Sequence, residues 1–226
     1  MIFTKSIAKL GIVALFTASS LATISFSTAA AESFSTQLLD LQQQWAKVNY
    51  QLVDDAQKDG FDNLIKQAQE LVKTNPDNAN GLVWLGIIES SYAGAKGGLG
   101  ALSLAKTAKK SLEESMKIDD SVLNGSAYTS LGTLYHKVPG WPIGFGDDDT
   151  AKEMLEKGMV INPNGIDSNY FYAEFLFDEK EYTKAKEHLT LALQATPRAE
   201  RPLADEFRRI EVSQLMAKVD KKIQKK

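Results

Sequence analysis

Three stretches of the chain repeat one spacing of small and large apolar residues, and that spacing restricts the fold more than any other feature. The fullest copy runs Tyr128, Leu131, Gly132, Tyr135, Ala151, Leu155, Gly158 and Pro163, and a second runs Tyr172, Ala173, Leu176, Ala185, Leu189, Ala192 and Pro197. The third, Leu82, Leu85, Gly86, Ala108, Leu112, Ser115 and Asp120, ends in aspartate where the others end in proline. Residues three and four apart share one face of a helix, so each copy describes two helices packed together, with the small residues marking where their backbones come close. The closing proline cannot continue a helix, and its fixed φ starts the turn to the next pair. One such pair cannot bury its apolar face alone, whereas stacked pairs share a continuous core. The chain is therefore expected to be all-α, about four helix pairs closed by a last helix.

The periodicity predicts pairs over Ala79 to Ala93 with Ala101 to Ile118, Val122 to Lys137 with Thr150 to Ile161, and Ser168 to Phe177 with Tyr182 to Gln194. Ahead of them, Ser35 to about Gln57 and Phe61 to Lys73 read as a degenerate first pair ending in Asn75-Pro76-Asp77. The repeats thus span about 45–78, 79–122, 125–165 and 166–199. Pro202 to Ile223 supplies the closing helix, with Leu203, Phe207, Ile210, Leu215 and Val219 on its apolar face, as an end repeat without a neighbour requires.

The first residues carry Lys5 and Lys9, then an uncharged run from Leu10 that finishes in Ala29, Ala30 and Ala31. A basic start, an apolar stretch and a small-residue end predict a secretory signal peptide over residues 1–31 with cleavage after Ala31, and so a soluble periplasmic domain over 32–226. The chain has no cysteine, so neither a disulfide nor a lipid-modified cysteine anchor is available to it, and no stable membrane anchor is expected after cleavage. Losing Lys5 and Lys9 takes the basic residues from 26 to 24 against 29 acidic ones, and the net charge from −3 to −5. That balance disfavours nucleic acid as a partner. Lysines at 218, 221, 222, 225 and 226 complement the negative end of the last helix.

By the residues of its three copies the chain resembles tetratricopeptide repeat (TPR) proteins over essentially all of the exported part. The resemblance implies a right-handed α-solenoid and a protein partner, held in a concave groove lined by the first helices of the pairs. Carried over by helical phase, that groove takes Asn49 and Val53; Asn80, Val83, Ile87 and Ser90; Ser126, Thr129, Thr133 and His136; and Asp167, Tyr170, Glu174 and Phe177. It lacks the lysine and arginine cluster with which some TPR adaptors hold a terminal carboxylate. Two glycine-rich insertions, Gly94 to Ser103 and Lys137 to Asp149, are similar to turns in exported bacterial TPR proteins, including the T components of TRAP-type solute transporters. That looser similarity implies a second role, a small-molecule-binding or ion-binding accessory of a transport system, and assembly as a homo-oligomer.

Both insertions fall between the first and second helices of their pairs, hence side by side on one edge of the array. The second carries Trp141, Ile143 and Phe145 among glycines, an apolar set that either docks a partner or folds back to plug the longer turn, with the plug the expected arrangement. Gly97, Gly98 and Gly100 could form an anion nest of backbone N–H groups, but no P-loop or dinucleotide spacing accompanies them. Asp147 and Asp148 could hold a hard cation, although at a helix start one aspartate is expected to cap. His136 and His188 lie in different pairs and form no metal set. Neither a cysteine nor a Gly-x-Ser-x-Gly nucleophile is present, so no catalytic residue and no cofactor is expected. The sequence reads as a non-catalytic scaffold that binds a protein partner through its groove and glycine-rich loop edge.

Overall fold

The computed structural model describes residues 22–225, and the side chains of 34–225 except Leu99. Residues 1–21, which hold most of the predicted leader, lie outside the described residues. Nine helices are described: α1 (Ala22–Gln51), α2 (Asp54–Thr74), α3 (Ala79–Lys96), α4 (Gly98–Ile118), α5 (Val122–Lys137), α6 (Asp148–Ile161), α7 (Ile166–Asp178), α8 (Tyr182–Gln194) and α9 (Pro202–Ile223). The predicted pairs form: α3 packs chiefly on α4, α5 on α6 and α7 on α8. The protein is an all-α array of TPR-like helix pairs.

The small residues sit at the crossings. A Cβ at Gly132 would lie 2.8 Å from Leu155 Cγ and 3.0 Å from the Ala151 carbonyl oxygen, so only hydrogen fits between α5 and α6. Gly86 stands in the same relation to Leu112 and Ala108 between α3 and α4. Around these contacts Leu112, Leu155, Leu189 and the alanines Ala108, Ala151 and Ala185 are wholly or almost wholly buried.

Two predicted boundaries are corrected. Gly94 to Ser103 is not an irregular turn: α3 continues to Lys96, α4 starts at Gly98, and the break is at Gly97, at φ 64° and ψ 179°, with Gly98 following at φ 61°. The Gly97 conformation is open essentially to glycine alone, so two adjacent glycines turn the chain and the extra residues lengthen the helices. The second helix of the first pair starts at Asp54, not Phe61, because Asp54 and Asp55 supply the acidic first turn that a helix N-terminus favours.

The array also closes on itself. Helices α1, α3, α5 and α7 touch in succession, α7 touches α9, and α9 returns to α1. At this last seam Tyr50 stacks on Phe207 with ring centres 4.8 Å apart and planes at 9°, and Gln43 Nε2 donates to the Glu200 carbonyl at 3.0 Å. Arg209 fixes the start of the return by donating to the Leu193 and Ala195 carbonyls at 2.6 and 2.7 Å, which satisfies the free end of α8. The open groove expected from sequence is therefore a ring of five inner helices around a chamber.

Candidate functional site: the inner chamber and its loop edge

The chamber has a volume of about 960 Å³. Of the predicted groove positions, Thr133, Tyr170 and Glu174 line it, together with Asn49, Ile87, Ser90, Ser126, Thr129 and Asp167, whereas Asn80 and the core residue Val83 do not. His136 and Phe177 do not reach it, because helical phase drifts over the ends of α5 and α7. His136 instead packs on Phe175 and sits between two carboxylates, Nδ1 3.2 Å from Asp148 Oδ1 and Nε2 2.9 Å from Asp178 Oδ2. Lys137 Nζ lies 3.1 Å from the same Asp178 oxygen and 3.4 Å from Glu174. Burial alone would raise the Asp178 carboxyl, but the bonds from His136 and Lys137 outweigh it and hold the group below its ordinary value. Phe177 packs against Tyr182 at 5.6 Å between ring centres, and Val53 points to solvent away from the chamber.

The α5–α6 loop divides its apolar residues in two. Phe145 folds back edge-on against Tyr135, ring centres 5.5 Å apart, and plugs the turn as expected. Trp141 and Ile143 do not: they are 90% and 68% exposed, which corrects the expectation that the whole set is packed. The physical reason is the loop's own backbone. Gly146 N donates to Pro139 O at 3.0 Å, Ile143 N to Gly140 O at 3.1 Å and Asp147 N to Tyr135 O at 3.0 Å, a tight reversal that turns its tip outward. The two insertions do meet, as predicted: Gly98 and Leu102 share the chamber's rim with Pro139 and Ile143.

The weaker sequence candidates resolve into local structure. Gly97 and Gly98 have φ of 64° and 61°, but the Gly97 N–H already donates to the Ala93 carbonyl at 3.2 Å, and the stem of Lys96 lies over Gly100. The nest is thereby short of a donor. Asp147 caps α6, its Oδ1 accepting from Thr150 N at 2.7 Å, and that hydrogen bonding holds its carboxyl below the ordinary value. Asp148 faces His136, so the two aspartates diverge. Among the described residues no group of three histidine, aspartate or glutamate side chains is placed to hold a metal ion.

Sequence reasoning missed the wall contributed by α9 and the segment before it. Asp167 accepts from Arg198 Nη1 at 2.7 Å and from Arg208 Nε at 2.8 Å. Arg198 also donates to Asp205 through its backbone N and Nε at 2.6 and 2.7 Å, and Arg208 donates to Glu211 at 2.7 Å. The Arg208 guanidinium lies 4.5 Å from the ring centres of both Tyr170 and Phe171. Burial alone would raise the Asp167 carboxyl, but Arg208 and Arg198 hold it far below the carboxylate range. Burial pushes the Tyr50 phenol up to about 12. A signal is present in the sequence: Arg198, Arg201, Asp205 and Arg208 recur at intervals of three and four, a charged face on a segment whose apolar face alone predicts a cover for the last repeat.

No family model matches the chain, and no curated protein matches it. Among solved structures, a crystal structure of MamA aligns at 22% identity over 74% of this chain and 91% of that one, with a TM-score of 0.43. A second crystal structure of MamA protein aligns at 20% identity over 82% and 93%, again at 0.43. At that distance neither alignment bears on function, and the fold rests on the packing of the helices themselves. Among the described residues no helix is long and apolar enough to cross a membrane.

Proposed function

We propose that this protein is a non-catalytic scaffold that docks a protein partner on the loop edge at the chamber's rim, with Trp141 and Ile143 as the anchors. The observation that carries the reading is Trp141, 90% exposed on a loop whose backbone is bonded down. A tryptophan side chain in water forgoes about 2–3 kcal/mol or more of burial. Tryptophan is enriched among the residues that carry binding energy near the centre of protein interfaces. Because the loop is already held, docking costs little ordering of its backbone. The closed ring removes the open concave face on which an extended peptide would lie, so the edge rather than the groove is the docking surface.

The reading includes export to the periplasm, supported by the lysine-flanked apolar segment that ends at Ala31. The test is crosslinking and capture of the purified protein in an extract of exported proteins, with Trp141→Ala in parallel. The expected result is one dominant protein captured by the natural chain and lost in the variant, with melting unchanged because the removed side chain touches little. Equal capture by both would remove Trp141 from the interface, and a large fall in melting temperature would make it a packing residue.

A further inference from the structure

Among the described residues four cations face the chamber, and three of them are matched. Arg198 holds Asp205 and Asp167, Arg208 holds Asp167 and Glu211, and Lys137 pairs with Glu174. Arg201 differs. Its Nε is buried and has no acceptor, and its guanidinium lies 4.7 Å from the Trp84 ring centre and 6.0 Å from that of Trp45. Aromatic faces attract a guanidinium through its plane, but the five N–H donors lie in that plane and are left to other partners. Burial, and next the neighbouring Arg198, push Arg201 down to about 10, so its charge is the one in this wall that its surroundings do not favour. Each carboxylate facing the chamber already has its cation.

The remaining surroundings describe what could answer that charge. Trp45 is fixed by its own N–H, which donates to Ser91 at 3.0 Å, and it meets Trp84 edge-on with ring centres 5.6 Å apart. The two indoles and Ile87 therefore present a fixed apolar surface beside a cation whose Nε has no acceptor. A volume of about 960 Å³ is on the scale of cavities that enclose small organic ligands.

We propose that the chamber binds a small organic carboxylate, its two oxygens on the Arg201 guanidinium and its hydrocarbon body against Trp45, Trp84 and Ile87. The planar fork of an arginine matches a carboxylate in two parallel hydrogen bonds, and the apolar surface selects for chain length beyond the acid group. The docking anchor Trp141 does not line the chamber, and Ile143 borders it only at the rim, so loss of partner capture in Trp141→Ala and loss of hexanoate binding in Arg201→Met report the two readings separately.

The test is a fluorescence titration of the Trp141→Phe variant, in which Trp45 and Trp84 alone report. The probes are acetate, butyrate and hexanoate, with 1-hexanol and hexylamine as isosteric controls. Saturable change is expected for the carboxylates, tightening from acetate to hexanoate. Hexanol should bind at least ten-fold more weakly than hexanoate, and hexylamine not at all. Arg201→Met should weaken hexanoate at least ten-fold, and Arg201→Lys, which keeps charge but loses the fork, should fall between. No saturable response to any carboxylate, equal responses to hexanoate and hexanol, or unchanged affinity in Arg201→Met would each overturn the proposal. If Arg201→Met does not fold, unweakened hexanoate binding by Arg201→Lys overturns it.

Discussion

At the scale of single residues, buried polar groups in this protein are tied to turns as well as to helices. Asn169 is fully buried, and its Nδ2 donates to the carbonyls of Pro163 and Gly165 at 2.8 and 2.9 Å. Its Oδ1 must then accept from His188 Nδ1, 2.9 Å away, which sets the neutral imidazole with hydrogen on Nδ1. Burial lowers the His188 value and Glu187 only partly offsets this. A histidine whose native value is depressed leaves the unfolded chain holding more protons, so its contribution is complete above about pH 6.5 and is lost as pH falls through the native value. Thermal melting between pH 7.5 and 5.5 should therefore fall more in the natural chain than in His188→Gln. Parallel pH profiles for the two would show that His188 titrates alike in both states.

At the scale of elements, the fold is legible in the sequence wherever one helix pair explains the pattern by itself. Gly86, Gly132, Ala108 and Ala151 sit at the crossings their spacing assigned, because the closeness of two adjacent helices is written in their own side chains. Gly97 shows the limit: a run of glycines reads as a loop, but backbone hydrogen bonds make helix of all but one of them. Chain direction at α5 shows another, since Leu123, Asn124 and Gly125 turn through left-handed φ of 50°, 54° and 71°, and only the glycine announces it. The strain is held because Val122 is buried and Leu123 packs against two parts of the core. The crossings themselves are testable. Gly132→Ala places a methyl against Leu155 and the Ala151 carbonyl, where backbone cannot yield, and should cost about 1–3 kcal/mol in urea unfolding. A cost below about 0.5 kcal/mol would mean that α5 and α6 slide apart freely, and that the glycine is not what sets their distance.

At the scale of the whole molecule, closure turns a row of helix pairs into a chamber, and it was not legible from repeat spacing. Spacing reports what each pair does with its neighbours, while closure depends on the summed rotation of successive pairs and on contacts between residues more than 150 apart, such as the Gln43 side chain and the Glu200 carbonyl. Asp167 is the residue on which the closing wall depends, because it joins Arg198, just before α9, to Arg208 within it. Its carboxyl is held far below the ordinary value, so this contribution is complete above about pH 4 and is lost as pH falls further. Asp167→Asn at neutral pH removes the charge from both arginine bonds and should cost about 2–3 kcal/mol, the range for hydrogen bonds to a charged group. If that cost falls on closure, it appears as exchange of α9 amides about 30-fold or more faster, since each 1.4 kcal/mol is ten-fold in an opening constant. Amides of α3 and α4 should keep their protection, because their shared core lies among Val83, Ala108 and Leu112, away from the seam. Uniform acceleration across all helices would instead show that ring and repeats unfold as one unit, and that the chamber exists only while the whole array is intact.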